Sequence, residues 1–235
     1  MRLRVRSTIP YERGLGSSAA VATAIVRACA NFVGTRLTRE ELFQLVQAAE
    51  RVAHGTPSGL DAYTVSASSA VRFQRGVATA IDVAKAFTLV IADTGVRGST
   101  SQAVAHVRGL LDKDPAHYNP KIDTLSALAD DVQLALRDGD TAALGNAMNL
   151  AHGTLAELEV SSPELDRLVR AARKAGAAGA KMTGGGLGGC VISLAPSAEA
   201  AYEIAAELRA IGQTRAWISS LGSVATGSIP LKELQ

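Results

Sequence analysis

Residues 10–28 read PYERGLGSSAAVATAIVRA: a proline, a glycine turn, two serines, then small residues at helical spacing. Ahead of them Leu3 and Val5 alternate with Arg2, Arg4 and Arg6, the period of a strand with one face in water. A strand, a glycine turn and a serine-led helix bring unpaired backbone N–H groups and the positive end of the helix dipole to Ser17 and Ser18. That is a ready site for phosphate, and a serine hydroxyl there can also ligate magnesium. The plain alternative is that Gly14 and Gly16 only turn the chain and the serines only cap the helix.

GLGSSA also fits the dinucleotide fingerprint G-x-G-x-x-A. The context argues against it. A Rossmann first strand is buried on both faces, whereas this one carries three arginines, and the acidic residue expected about twenty residues on falls in TREE, the start of a helix. A Walker A loop is excluded because no Gly-Lys-Ser/Thr follows.

Outward from this stretch the chain reads as mixed helix and strand without strict alternation, an α+β pattern. The first helix stops at Gly34, and Thr38 with Glu41 makes a capping box for a second, whose buried face is expected to carry Leu42, Leu45, Val46 and Ala49. A third helix begins near Asp61, and AVRF-RG-VATAI predicts a hairpin about Arg75-Gly76. FTLVIADTGV is a buried strand followed by the helical STSQAVAHVRGLL, and Lys121 to about Leu158 reads as two or more helices. Ser162 caps another helix with Pro163 at its first position. GAKMTGGGLGGCVISL predicts strand, glycine loop and strand; a helix ending at Gly212 and a strand in TRAWISSLG follow. The expected division is into lobes of residues 1–85 and 86–235.

Composition bounds the function. Apolar residues make up 47% of the 235 and charged ones 20%, with a net charge of +2, so neither nucleic acid nor an anionic membrane is expected as partner. Cys29 and Cys190 stand apart outside any metal pattern and are expected to be buried thiols. With no apolar leader and no membrane-length apolar run, a soluble cytoplasmic protein is expected.

Two further stretches carry chemistry. KMTGGGLGGC supplies five glycines between strands, more than a tight turn needs, a pattern tolerated where a ligand or another backbone comes close. AAERVAHGTPSGLDAY places Glu50 near the end of one helix and Asp61 at the start of the next. Two carboxylates beside phosphate loops suit one magnesium ligand and one acceptor for a hydroxyl proton, and a helix N-terminus favours an ionised Asp61. Singly, Glu50 would be a solvated helix charge and Asp61 an N-cap.

Together IPYERGLGSSAA, AAERVAHGTPSGLD, MNLAHGTLAELEVSSPELDRLVRAAR and GAKMTGGGLGGC resemble the GHMP kinases over nearly the whole chain, most closely the mevalonate kinase branch. The resemblance implies a two-lobed α+β fold: a truncated N-terminal lobe like ribosomal protein S5 domain 2, and a ferredoxin-like C-terminal lobe. It implies that Gly14, Leu15, Gly16, Ser17, Ser18 and Ala19 wrap the phosphates of ATP, with Ser18 and Glu50 as ligands of Mg2+. Asp61 would be the base for the C5 hydroxyl of mevalonate, or would orient and polarise it. Thr183 and Gly184, Gly185 and Gly186 would stabilise the transferring phosphoryl group, with His54 and Thr100 on the substrate side. A supporting structural role for His54 is weighed equally. A homodimer is a further expectation from the family.

One departure stands out. Family members carry a first motif, with a lysine that bonds the catalytic aspartate, ahead of the second; no K-x-x-L-x-G-E-H pattern occurs in these 235 residues. Missing N-terminal strands are therefore expected, with an exposed sheet edge where they would pair. Another GHMP small-molecule kinase, of phosphomevalonate or sugar type, and a truncated non-catalytic nucleotide-binding fragment remain alternatives.

Overall fold

A computed structural model of the chain describes residues 2–54, 57–67, 69–211 and 215–222, with the side chain of His54 outside that set. The residues form two compact units: Met1–Tyr11 with Leu15–Ile81, and Glu12–Gly14 with Asp82–Gln235. The short stretch Glu12–Gly14 thus packs with the second unit, although its neighbours on both sides belong to the first.

In the first unit, helices α1 (Ser17–Phe32), α2 (Arg39–His54) and α3 (Leu60–Ser66) precede the hairpin β1 (Ala70–Gln74) and β2 (Val77–Ile81). Arg75 and Gly76 both take positive φ, as a two-residue hairpin turn requires, and Ala70 pairs with Ile81. The capping box forms as the sequence predicts: Glu41 accepts from the Thr38 N–H at 2.8 Å and Thr38 Oγ1 accepts from the Glu41 N–H at 3.2 Å. The small core joins Ala19, Leu42, Val46 and Ala62. Phe43 stacks on Tyr63 at 3.9 Å, and Tyr63 meets Phe73 at 5.9 Å, tying α2, α3 and β1 together.

The expected face of α2 is rotated. Leu45 and Ala49 are exposed, and the buried row is Leu42, Val46 and Glu50, at i, i+4 and i+8. Packing of Phe43 against α3 sets that rotation. The strand expected over LRVRST, residues 3–8, does not form: the segment is exposed and joins no ladder among the described residues. Alternation marks a surface that fits a sheet, but a strand exists only with a partner edge.

The second unit holds a four-stranded antiparallel sheet of β3 (Phe87–Asp93), β4 (Gly179–Met182), β5 (Cys190–Ala195) and β6 (Ala216–Leu221) in the order β4-β5-β3-β6. Each helical crossover, β3 to β4 and β5 to β6, skips one strand, which is the ferredoxin-like arrangement. Helix α4 (Thr100–Lys113), α5 (Pro115–Asp138), α6 (Thr141–Glu157) and α7 (Pro163–Lys174) fill the first crossover, and α8 (Ala198–Ala210) the second. The helix expected from Lys121 starts earlier, at Pro115, with Asp114 as its cap. The expected stop of α8 at Gly212 lies outside the described residues.

Leu165, Leu168, Val169 and Ala172 of α7 and Ala201, Ile204, Ala205 and Leu208 of α8 sit at the same i, i+3, i+4, i+7 spacing. Both rows share one core with Val90, Ala180, Met182 and Val191 of the sheet, each large side chain contributing about 1.5–3 kcal/mol by burial. Helix α6 covers the outer edge of β4. Asn149 Nδ2 donates to Ala178 O at 3.3 Å, and Asn149 Oδ1 accepts from the Ala180 N–H at 3.1 Å. Gly145, one turn earlier, permits this approach, since a Cβ there would lie 2.4 Å from Ala178 O. The edge is satisfied by side chains in place of a strand. Among the described residues no helix is long and apolar enough to cross a membrane.

Candidate functional site

In the first unit Gly16 caps α1 in the left-handed conformation, φ 65°, and supplies no side chain to the free N–H groups behind it. Ser18, in the first turn, donates its hydroxyl to Glu50 Oε1 at 2.6 Å. Glu50 is only 4% exposed. It is therefore not the solvated helix charge its position alone would suggest: it continues the Leu42–Val46 row, so the packing that buries the apolar stripe buries the carboxylate too. Asp61 is not an N-cap, a place taken by Gly59, and lies in the first turn of α3. A Cβ on Gly16 would stand 3.8 Å from Asp61 Cγ. The α1 N-terminus, Ser18, Glu50 and Asp61 thus gather within one unit. A hydroxyl and a carboxylate side by side form the oxygen donor pair that a hard cation takes, and the residues present fit magnesium. Among the described residues no group of three His, Cys, Asp or Glu side chains clusters for a metal.

In the second unit the glycine loop between β4 and β5 is crowded by backbone. A Cβ on Gly184 would lie 2.5 Å from Gly14 Cα, and one on Gly14 would lie 2.6 Å from Thr183 O. Both have positive φ, so the two motifs meet glycine to glycine. Thr183 Oγ1 donates to Gly14 O at 3.2 Å. Gly184 is exposed, Gly185 half-buried and Gly186 buried. Thr100 opens α4 beside this loop: a Cβ on Gly185 would sit 3.0 Å from Thr100 Oγ1. The side chain of His54 lies outside the described residues.

Sequence reasoning passed over Arg13. Its guanidinium turns into the second unit, where Nε lies 2.9 Å from Asp93 Oδ1 and Nη2 donates to Gly95 O at 2.9 Å. Arg215 reaches the other Asp93 oxygen at 3.2 Å. The Arg13 carbonyl accepts from the Cys190 N–H at 3.2 Å, and the Glu12 carbonyl from the Gly98 N–H at 3.1 Å. The available signal was an arginine directly before a glycine turn, where a solvent-seeking residue had no evident reason to sit. Burial, with Asp93 adding to it, pushes the Cys190 thiol up to about 12, so it is inert. Cys29 is half-buried rather than buried, and both cysteines are free.

Two family models match in chain order: the GHMP kinases N terminal domain over residues 1–70 and GHMP kinases C terminal over residues 132–214. The mevalonate kinase of Thermococcus sibiricus is 37% identical over 213 residues, 88% of this chain and 63% of that enzyme. That of Aeropyrum pernix is 37% identical over 193 residues, 81% of this chain and 59% of its own length. The chain thus spans about three-fifths of the curated relatives it matches. Among solved structures, L. major mevalonate kinase in complex with R-mevalonate aligns with a TM-score of 0.84 at 30% identity, covering 91% of this chain and 68% of that one. Mevalonate kinase from methicillin-resistant Staphylococcus aureus MRSA252 gives 0.68 at 32% identity, with 92% and 70% covered. With both family models matched in order, and relatives of this identity sharing its fold, the chain belongs to the GHMP kinase family.

Proposed function

We propose that this chain, with lobes at residues 1–85 and 86–235, transfers the γ-phosphoryl group of ATP to the C5 hydroxyl of mevalonate, as a soluble cytoplasmic enzyme. The observation that carries the reading is the bond from half-buried Ser18 to buried Glu50 at the α1 N-terminus, with Asp61 beside Gly16. The backbone N–H groups of Gly16, Ser17, Ser18 and Ala19 hold the phosphates, joined by Gly14 and Leu15, and the helix dipole favours their negative charge. Ser18 Oγ and Glu50 hold magnesium, which when bound neutralises charge on the phosphates. Asp61 accepts the proton of the attacking hydroxyl or orients it. The exposed Gly184, with Gly185, presents backbone N–H groups to the transferring phosphoryl group beside the Thr183 side chain, and Gly186 anchors the turn from below. Thr100, next to Gly185, and His54 face the acceptor. Positioning and charge neutralisation supply most of the rate in such transfers.

The test is ADP release with Mg-ATP across a panel of mevalonate, phosphomevalonate, homoserine and galactose. Mevalonate is expected to be preferred. Asp61→Ala should lower turnover by about 10²–10⁴ while leaving ATP affinity within about threefold. Near-normal turnover of Asp61→Ala would remove Asp61 as the base, and preference for another acceptor would reassign the substrate.

A further inference from the structure

Beyond Ala180, the next amide on the α6-facing edge of β4 belongs to Met182, the last residue of the strand. It is met by His152, one helical turn after Asn149 on α6. The Met182 N–H donates to His152 Nδ1 at 3.5 Å, and His152 Nε2 stands 3.2 Å from Asp166 Oδ1. An accepting Nδ1 places the ring proton on Nε2, where it is donated to Asp166. Ser161 Oγ donates to the same Asp166 oxygen at 2.5 Å, fixing the carboxylate. Downstream, the Thr183 N–H bonds Cys190 O at 2.9 Å and the Leu187 N–H bonds Val160 O at 2.8 Å. A Cβ on Gly186 would lie 2.6 Å from Met182 Cε, so the Met182 side chain is the floor of the turn.

We propose that His152 is a positioning residue for the phosphoryl-binding loop: its neutral ring holds Met182, and protonation of Nδ1 releases the end of β4 and the Thr183–Gly186 turn with it. The proposal rests on the reading above for the loop's chemistry, though not for its geometry. A protonated ring carries N–H on both nitrogens, so Nδ1 would face the Met182 amide donor to donor. The groups facing the ring are Asp166 and Arg173 from α7 and Lys181 from β4. Burial lowers the affinity of His152 for a proton; Asp166 opposes this, and Lys181 and Arg173 add to it. The neutral, holding form therefore prevails at neutral pH and is lost on acidification.

His152→Gln is the discriminating variant. Glutamine can offer its oxygen to Met182 and its amide to Asp166, and it gains no proton between pH 5 and 8. At pH 7.5 it should keep turnover within about threefold of wild type, while His152→Ala, checked for folding by circular dichroism, should lose roughly fivefold, the worth of one hydrogen bond. The wild type should show an acid limb in turnover that His152→Gln lacks, and Asp166→Asn should move that limb to lower pH. In parallel, ¹⁵N NMR should show Nδ1 unprotonated at pH 7.5, and the Thr183–Gly186 amides titrating with the ring. An unchanged acid limb in His152→Gln, or loop amides that ignore the ring, would overturn the proposal. Amides that follow the ring in a protein without mevalonate turnover would overturn the proposed function and uphold this inference.

Discussion

Replacing Asp93 with alanine would leave the Arg13 guanidinium buried without its counter-charge. Asp93 is 2% exposed and the Arg13 side chain 13%. At 2.9 Å and an effective dielectric of 20 their attraction is about 6 kcal/mol. Desolvation of two ions, several kcal/mol each, offsets most of this, so the intact pair adds little net stability. Truncating one partner is different, because the other stays buried and unpaired at a cost of about 3–5 kcal/mol. Arg215 pairs with the same carboxylate at 3.2 Å, but its side chain is 60% exposed, and its removal should cost less than about 1 kcal/mol. Urea unfolding followed by circular dichroism would read this directly. With a slope of roughly 2 kcal/mol per molar, the Asp93→Ala midpoint should fall by about 2 M and that of Arg215→Ala by less than about 0.5 M. The double replacement Arg13→Met with Asp93→Leu should lose less than either truncation alone. If Asp93→Ala stayed within about 1 kcal/mol of wild type, or the double variant lost more than Asp93→Ala alone, Arg13 and Asp93 would not behave as a buried ion pair.

Glu50→Gln should lower turnover by at least about tenfold and raise the magnesium concentration needed for half-maximal rate, measured by ADP release against a magnesium titration. Gly184→Val should destabilise by about 2–4 kcal/mol in the same urea assay, because its Cβ meets Gly14 Cα at 2.5 Å at a φ of +76°. The pH dependence of stability has a definite sign. His152 is lowered from 6.5 by burial, so the unfolded chain binds its proton more readily than the folded one. The contribution is present above pH 6.5 and lost as pH falls from there through the folded value, so melting temperature should drop more steeply between pH 7.5 and 5.5 in wild type than in His152→Gln.

Local signals in this chain were legible and long-range ones were not. The Thr38–Glu41 box, the Ser162-Pro163 start and the Arg75-Gly76 turn are decided by residues three or fewer apart, and each forms as read. The face of α2 depends on Phe43 meeting Tyr63 twenty residues away, and it turned from Leu45 and Ala49 to Glu50. Arg13 and Asp93 are separated by 80 residues of unrelated composition, so the odd placement of Arg13 before a glycine turn did not point to its partner. The cover of the β4 edge by Gly145 and Asn149 was hidden for a related reason. A helix that mimics a strand edge with a glycine and an asparagine leaves no periodic mark on the hydrophobic pattern.

The glycines of the two motifs differ in what they make room for, and this governs which substitutions bear on chemistry. At Gly14, Gly184 and Gly186 the space of a Cβ is already taken by protein backbone: Thr183 O at 2.6 Å, Gly14 Cα at 2.5 Å and Val160 O at 2.1 Å. A variant at Gly14 or Gly184 breaks the junction of the second and third motifs, and one at Gly186 lifts the turn off Val160, whether or not a phosphate ever binds. At Gly16 the nearest atoms are Val65 Cγ2 at 3.6 Å and Asp61 Cγ at 3.8 Å, so a methyl group fits and the cost is that of holding alanine at positive φ, about 1 kcal/mol. Gly16→Ala should therefore keep the fold while crowding the phosphate position, so a loss of ATP affinity from that variant reports on binding in a way that no change at Gly184 can.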